Sequence, residues 1–333
     1  SSRKAPTSNL EAYELYLRGL AAAGHSDRHR NVEAVRAFEA ATRLDPKFAD
    51  AYASWAQLYV QAAGDSLSFR EAIPRARELS ARALALDPDS AEAHAVLGNI
   101  AMQYDHDWVA AEREFRRAIE LNPSNLGAHY FFGMMLIALE RFDEAKEVLR
   151  QAVRLDPSGH HEQVLSWAVS ESGDWAAGLQ HARQHLADEP NSLGNHTILG
   201  LSYLSLGRRN DALHEADCAL EPANDDERFD HAMLNALVGR PAGAREIIAE
   251  VARGEARSYT SDTHLAMLYA ALGEREKALD LLEKEFREGD PLLWLFYRGV
   301  FFDSLRDDPR FIELLRKYGV PTGPIRRPSA TTG

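Results

Sequence analysis

Between residues 126 and 157 the apolar positions recur every three or four residues, in two successive runs. Tyr130, Gly133, Met134 and Ile137 share one helical face, and Ala145, Leu149, Ala152 and Val153 share another. The intervening Glu140-Arg141-Phe142-Asp143 predicts a tight turn, with the Asp143 carboxylate placed to cap the second helix on unpaired backbone N–H groups. Gly133 and Ala145 are small where two antiparallel helices would cross, and Phe132 and Leu149 are large on either side, so the pair can interlock. Asp156-Pro157 ends the second helix, because proline lacks an N–H and disfavours helical backbone at the residue before it.

The same pattern recurs along the chain. Closing prolines stand at Pro46, Pro88, Pro123, Pro157, Pro190 and Pro222, at spacings of 42, 35, 34, 33 and 32 residues. Ala34, Ala76, Ala111 and Ala145 lie twelve residues before a proline, and Ala212 ten before Pro222. Gly19, Ala56, Gly98, Gly133, Ser166 and Gly200 take the matching small position in the first helix of each unit. These residues resemble the tetratricopeptide repeat (TPR) family, a helix-turn-helix unit of about 34 residues. The resemblance implies an all-α fold, a right-handed superhelix (α-solenoid) of about eight helix pairs with C-terminal capping helices.

In chain order, residues 1–8 read as a polar linker and 9–289 as the solenoid. Its repeats fall at about 9–48, 49–90, 91–125, 126–158, 159–192, 193–224, 225–258 and 259–289. Longer turns are expected at 24–30 and 63–69, a short turn at 104–108, and a loop at 253–258. The fifth repeat is degenerate, with Ser166 and Gly178 at the small positions, and looser packing is expected there. Residues 290–320 read as capping helices, the apolar stretch 292–302 being one helix that closes the last repeat and Asp308-Pro309-Arg310-Phe311 opening another to Tyr318. Residues 321–333 read as a disordered tail. The opening NLEAYELYLRG and the DPRF segment are similar to TPR regions of bacterial signalling and transcriptional regulators, which implies an effector domain joined at the N-terminus.

Ala, Leu, Glu and Arg are abundant, helix formers all, and nothing alternates apolar and polar as strands do. A net charge of −13 argues against general binding to nucleic-acid backbones or anionic membranes. No run is apolar and long enough to span a bilayer, so this segment is read as cytoplasmic, or periplasmic if a span precedes residue 1. The one cysteine, Cys218, excludes an internal disulfide framework and sits at a position read as core, an inert buried thiol.

No catalytic, cofactor or metal site is expected. His181 and His185, and likewise His25 and His29, are four apart, but neither pair has a third ligand in view. His160-His161-Glu162 lacks the second histidine of a zinc-protease motif, Leu165 standing in its place.

The resemblance implies a groove lined by the first helix of each pair. Aligning the repeats places Tyr16, Leu20, Gln57, Asn99, Met102, Tyr130, Met134, Ile137, Trp167 and Leu201 on that lining, with Thr197 and Ser170 at neighbouring registers. It is apolar and aromatic, with a few amides and no lysine or arginine. Family members that clamp a peptide's terminal carboxylate use basic and asparagine side chains; Asn99 matches in type, but a carboxylate beside no positive charge would be badly desolvated. The expectation is a non-catalytic scaffold that binds an apolar peptide or partner protein as the TPR part of a larger regulatory protein. The alternative is the recognition arm of a protein glycosyltransferase whose catalytic domain lies outside these residues.

Overall fold

A computed structural model describes residues 7–23, 28–63, 67, 69–157, 159–188, 190, 193–218, 225–255, 261–288 and 293–325. The long turns at 24–30 and 63–69, the loop at 253–258, the linker and the tail therefore fall partly outside the described residues, as does Pro222. The chain divides into two compact units, residues 1–132 and 133–333. The first holds α1 (Leu10–Ala22), α2 (Arg28–Leu44), α3 (Ala49–Ala62), α4 (Phe69–Leu86), α5 (Ala91–Ile100), α6 (Trp108–Leu121) and the first half of α7 (Leu126–Ala138). The second holds the rest of α7, α8 (Phe142–Leu155), α9 (Gly159–Glu171), α10 (Trp175–Asp188), α11 (Leu193–Ser205), α12 (Arg209–Cys218), α13 (Asp225–Leu237), α14 (Ala242–Arg253), α15 (Asp262–Ala271), α16 (Arg275–Glu288), α17 (Leu293–Phe296) and α18 (Pro309–Tyr318). Among the described residues there is no strand, and no helix is long and apolar enough to cross a membrane.

The turns between pairs are built by the residue before each proline as much as by the proline. Asp45, Asp87 and Asn122 each accept a hydrogen bond on the side chain from the backbone N–H two residues on, at 3.0, 3.1 and 3.1 Å. Their carbonyls also accept from the third residue on. An Asx turn thus folds the chain back at the point where proline has stopped the helix. The next helix is then capped: Ser90 accepts from Ala93 N–H at 3.4 Å and Asn125 from Ala128 N–H at 2.8 Å. Three histidines complete the turns. The Nε2 atoms of His94, His129 and His196 donate to the carbonyls of Pro88, Pro123 and Pro190 at 3.2, 3.0 and 3.2 Å. His94 and His196 also place Nδ1 at 2.7 and 2.8 Å from Glu114 and Glu215 on the following helix.

Within each pair the helices cross where one side chain has been given up. A Cβ on Gly19 would lie 2.6 Å from the Phe38 ring, one on Gly98 2.8 Å from Phe115, and one on Gly133 2.5 Å from Leu149. Those distances are inside van der Waals contact, so glycine sets how near the helices come. The fifth pair inverts the device: the glycine is on its second helix, and a Cβ on Gly178 would lie 3.2 Å from the Ser170 backbone. A side chain at Gly178 would collide with the Ser170 hydroxyl, 1.8 Å from the Cβ position, so glycine is needed at this crossing too.

Three local expectations give way to other arrangements. Asp143 does not cap α8; it lies in the first turn, favourably placed for the helix dipole, and pairs with Lys146 at 2.8 Å. The turn at 104–108 is a π-helical extension of α5, Ala101–Asp105, closed by His106 in the left-handed region at φ 52°. Cys218 is exposed at the last position of α12. The packed stripe of that helix runs through Ala212, Glu215 and Ala216, and Cys218, six residues after Ala212, points away from it.

The largest departure is at the C-terminal end. Residues 292–302 do not form one helix. α17 is a single turn, followed by a bend at Tyr297–Gly299 and a 3-10 turn, Val300–Leu305. This strap packs on α15 and α11 and reaches back to α7, where the Tyr297 hydroxyl donates to the Ala138 carbonyl at 3.0 Å. Burial pushes the Tyr297 phenol well above its usual range, so it remains a donor. Arg298, 5 % exposed, pairs with Glu171 at 2.7 Å and with Glu140, its guanidinium 5.0 Å from the centre of the Phe142 ring. Burial alone would lower the pKa of Arg298; Glu171, Tyr297 and Glu140 reverse that and raise it. Arg306 donates to the carbonyls of Tyr297, Arg298 and Gly299 at 3.1, 2.8 and 2.9 Å and so holds the bend. Gly299 is required because the Phe301 ring folds over it; a Cβ would lie 2.1 Å from that ring. Beyond the strap, Asp308 caps α18 and α18 packs on α16, with Arg310 held by Glu276, Asp280 and Glu283.

Two outcomes follow for stability. Gly133→Leu overpacks the α7–α8 crossing and costs about 1–3 kcal/mol, read as a lower urea midpoint; an unchanged midpoint would show that the helices can separate freely. Arg298→Met strands the buried Glu171 and costs roughly 3–5 kcal/mol in the same assay, whereas adding Glu171→Leu to it recovers part of the loss because no unpaired charge remains there.

Candidate binding groove

In the first unit the predicted lining residues separate by exposure. Tyr16, in α1, is half-buried with its ring 4.9 Å from Phe48, and Leu20 is 42 % exposed. Gln57, in α3, borders a recess of about 260 Å³ whose other walls include Glu92 and Ala95 of α5 and Asn122, Asn125 and Phe131. Burial raises the pKa of Glu92 there; the hydrogen bond from Asn125 Nδ2, at 3.2 Å, opposes the rise. Asn99 and Met102 have essentially no exposed surface, and the Asn99 amide oxygen accepts from Gln103. Tyr130 is half-buried, its phenol pushed up to about 12 by desolvation, with the Phe131 ring edge-on at 5.1 Å.

In the second unit Met134 is 7 % exposed and Ile137 is fully buried. That end of α7 has no solvent-facing side, and it is where Tyr297 of the strap binds. Trp167 and Leu201 come together instead, in the wall of a cavity of about 340 Å³. Its walls are the first helices of successive pairs, α9, α11, α13 and α15, with Trp175, Gly178 and Ala182 from α10; its far side is the strap from Phe296 to Phe301. Thr197 and Ser170, from the neighbouring registers of the alignment, line it too. The surface is dominated by Trp167, Trp175, Phe229, Met233, Met267 and the strap's phenylalanines.

Repeat alignment could find Trp167, Leu201, Thr197 and Ser170 because they recur at fixed positions in the first helices. It could not find Arg298, which lies outside every repeat and brings a guanidinium to a lining expected to have no cation. The one signal in the sequence was the aromatic density of residues 293–302. The cation is committed to Glu171 and Glu140. His264 is likewise engaged, Nδ1 lying 2.8 Å from Ser261 Oγ and the ring edge-on to Phe229 at 5.0 Å. The Thr197 hydroxyl differs: buried on a residue 3 % exposed, it has no hydrogen-bond partner among the described residues. The exposed Cys218 thiol lies apart from this cavity, its sulfur 3.6 Å from His214 Nε2. Of the paired histidines, His25 and the side chains of His29 and His185 lie outside the described residues.

The tetratricopeptide repeat profile matches residues 104–166. The tetratricopeptide repeat-containing protein trd-1 of Caenorhabditis elegans is 29% identical over 162 residues, which are 46% of this chain and 21% of that protein; the match thus spans about a fifth of the relative's length. Among solved structures, a tetratricopeptide repeat protein from Parabacteroides merdae superposes with a TM-score of 0.52 at 12% identity, covering 83% of this chain and 98% of the other. The human IFIT1 dimer with m7Gppp-AAAA gives 0.51 at 16% identity, over 83% and 72%. At those identities the likeness is one of fold. Helix pairs closed by Asx-Pro turns and small residues at their crossings agree with the matched profile: residues 104–166 carry the tetratricopeptide repeat, and the fold is like that of tetratricopeptide repeat proteins.

Proposed function

We propose that this chain is a protein-interaction module that takes a polypeptide segment along the face formed by the first helix of each pair. The observation that carries the reading is the strap. An irregular, aromatic-rich stretch of this same chain, a single helical turn, a bend and a 3-10 turn, lies against α11 and α15 and hydrogen-bonds to α7, so the chemistry of that face suits an irregular apolar peptide. In the second unit the strap already occupies part of the face. The first unit keeps its half-buried Tyr16, Gln57 and Tyr130 and its exposed Leu20 open to a partner.

Apolar and aromatic anchors give affinity when a partner covers them, and an amide such as Gln57 satisfies the backbone of an extended chain. The partner is therefore a peptide or protein segment with apolar side chains at intervals and no need of a basic clamp. A place within a larger regulatory protein is favoured by the NLEAYELYLRG opening and the DPRF helix start, both similar to TPR regions of signalling proteins.

Selection of a displayed peptide library on the intact chain tests the proposal. Enriched peptides are expected to lose about 2 kcal/mol, roughly 30-fold in Kd, on Tyr130→Ala or Gln57→Ala, while far-UV circular dichroism and the unfolding midpoint hold. Peptides that bind both variants as well as the parent, or a library that yields no binders, would overturn it.

A further inference from the structure

We infer that the recess among α3, α5 and the first half of α7, in the first unit, is a site for a primary ammonium on an alkyl stem: the side chain of a lysine in the peptide taken by that face. The peptide as source of the amine rests on the function proposed above; the site itself does not. Its volume, about 260 Å³, falls below the range of sites that hold a whole small molecule and suits one long side chain. The repeat register explains why space is left there. Asp50, Glu92 and Gly127 stand three residues before the lining positions Ala53, Ala95 and Tyr130. The third is a glycine, and a Cβ on it would meet only Asn125 Oδ1, at 3.7 Å, so room that a side chain could fill stays open.

Glu92 is the one charged side chain among the described residues of the wall. One of its carboxylate oxygens accepts from Asn125 Nδ2 at 3.2 Å, and the other has no partner among the described residues. Ser90 already caps α5, so the acid is not needed there as a cap. Burial raises its pKa, and the neighbouring charge that acts on it, the Asp50 carboxylate, raises it further. A half-buried carboxylate beside a second one, with no cation facing it among the described residues, is stabilised by a cation that binds. With one oxygen held by Asn125, the carboxylate offers no free pair of acceptors to a guanidinium fork. An ammonium needs one acceptor at a time and can take its next from the Gln57 amide oxygen. The methylenes of its stem would lie against Ala95, Leu126 and Phe131. A net charge of −13 favours the approach of a basic segment from solution.

Titration of the isotope-labelled full chain with Nα-acetyl-lysine N-methylamide, followed by nuclear magnetic resonance at the side-chain amides of Gln57 and Asn125, is expected to give saturable shifts. The norleucine analogue, uncharged and of similar shape, should bind about tenfold more weakly or worse, and the arginine analogue more weakly than lysine. Glu92→Gln, equal in shape, should weaken the lysine amide about tenfold. Gly127→Met, which fills the recess and leaves the carboxylate in place, should abolish the shifts while the unfolding midpoint holds. No saturable shift, equal affinity for the three amides, or an unchanged Kd in either variant would each overturn the inference. In the displayed-library selection, peptides enriched on the parent should carry a lysine at a fixed distance from their apolar anchors, and those enriched on Glu92→Gln should not. Binders without that lysine would overturn its assignment to a peptide. A library that yields no binders overturns the peptide surface, and with it the peptide as source, while the amine titration decides the site.

Discussion

Two helices can approach as α7 and α8 do only where one of them carries no side chain at the crossing. Gly19 against Phe38, Gly98 against Phe115 and Gly133 against Leu149 are three instances of that constraint, and the rest of the architecture depends on them. Close crossing brings each second helix down onto the next first helix, and the Asx-Pro turn then has a fixed distance to span. Asp45, Asp87 and Asn122 make that turn with a side-chain acceptor. The histidines that bind the proline carbonyls, and reach Glu114 and Glu215 with the other ring nitrogen, fasten one pair to the next. Each element is local, and each is usable only because the glycine or its equivalent has set the spacing.

Locality also explains what could be read from the sequence. The crossings were legible because a small residue and its large opponent lie within about one repeat of each other, and the same offset recurs. In the fifth pair Ser166 and Gly178 stand at the two small positions, and the close approach falls between Gly178 and Ser170, one turn beyond Ser166, a pairing that the alignment of small positions does not specify. Asp143 was misplaced for a reason of one or two residues: a capping side chain and a first-turn carboxylate differ by that much in sequence, and Arg141 stands at the cap. Cys218 looked like core by alignment, yet the stripe of α12 is set by Ala212 and Ala216 and leaves the helix before reaching it.

The binding surface was less legible than the fold, for a different reason. Trp167 and Leu201 sit where the repeat alignment puts them, on the walls of one cavity. Whether a first-helix residue is open to solvent depends on what crosses in front of it, and that is the strap. Its side chains obey no repeat, so Ile137 is buried beside an anchor point contributed from far along the chain. The strap also changes the electrostatics of the face, bringing in Arg298 and consuming the two glutamates that hold it.

The Tyr297 to Ala138 hydrogen bond joins positions 159 apart in sequence, whereas the contacts that build each helix pair join near neighbours. The two classes of contact therefore form on different schedules. Helix pairs can close as the chain emerges from the ribosome, each on the one before, at little cost in loop entropy. The strap must wait until residue 306 has been made, since Arg306 holds its bend from behind. During synthesis the first-helix face of the second unit therefore stands bare, with its tryptophans and methionines open to any apolar segment at hand. The closing of the strap is what ends that interval.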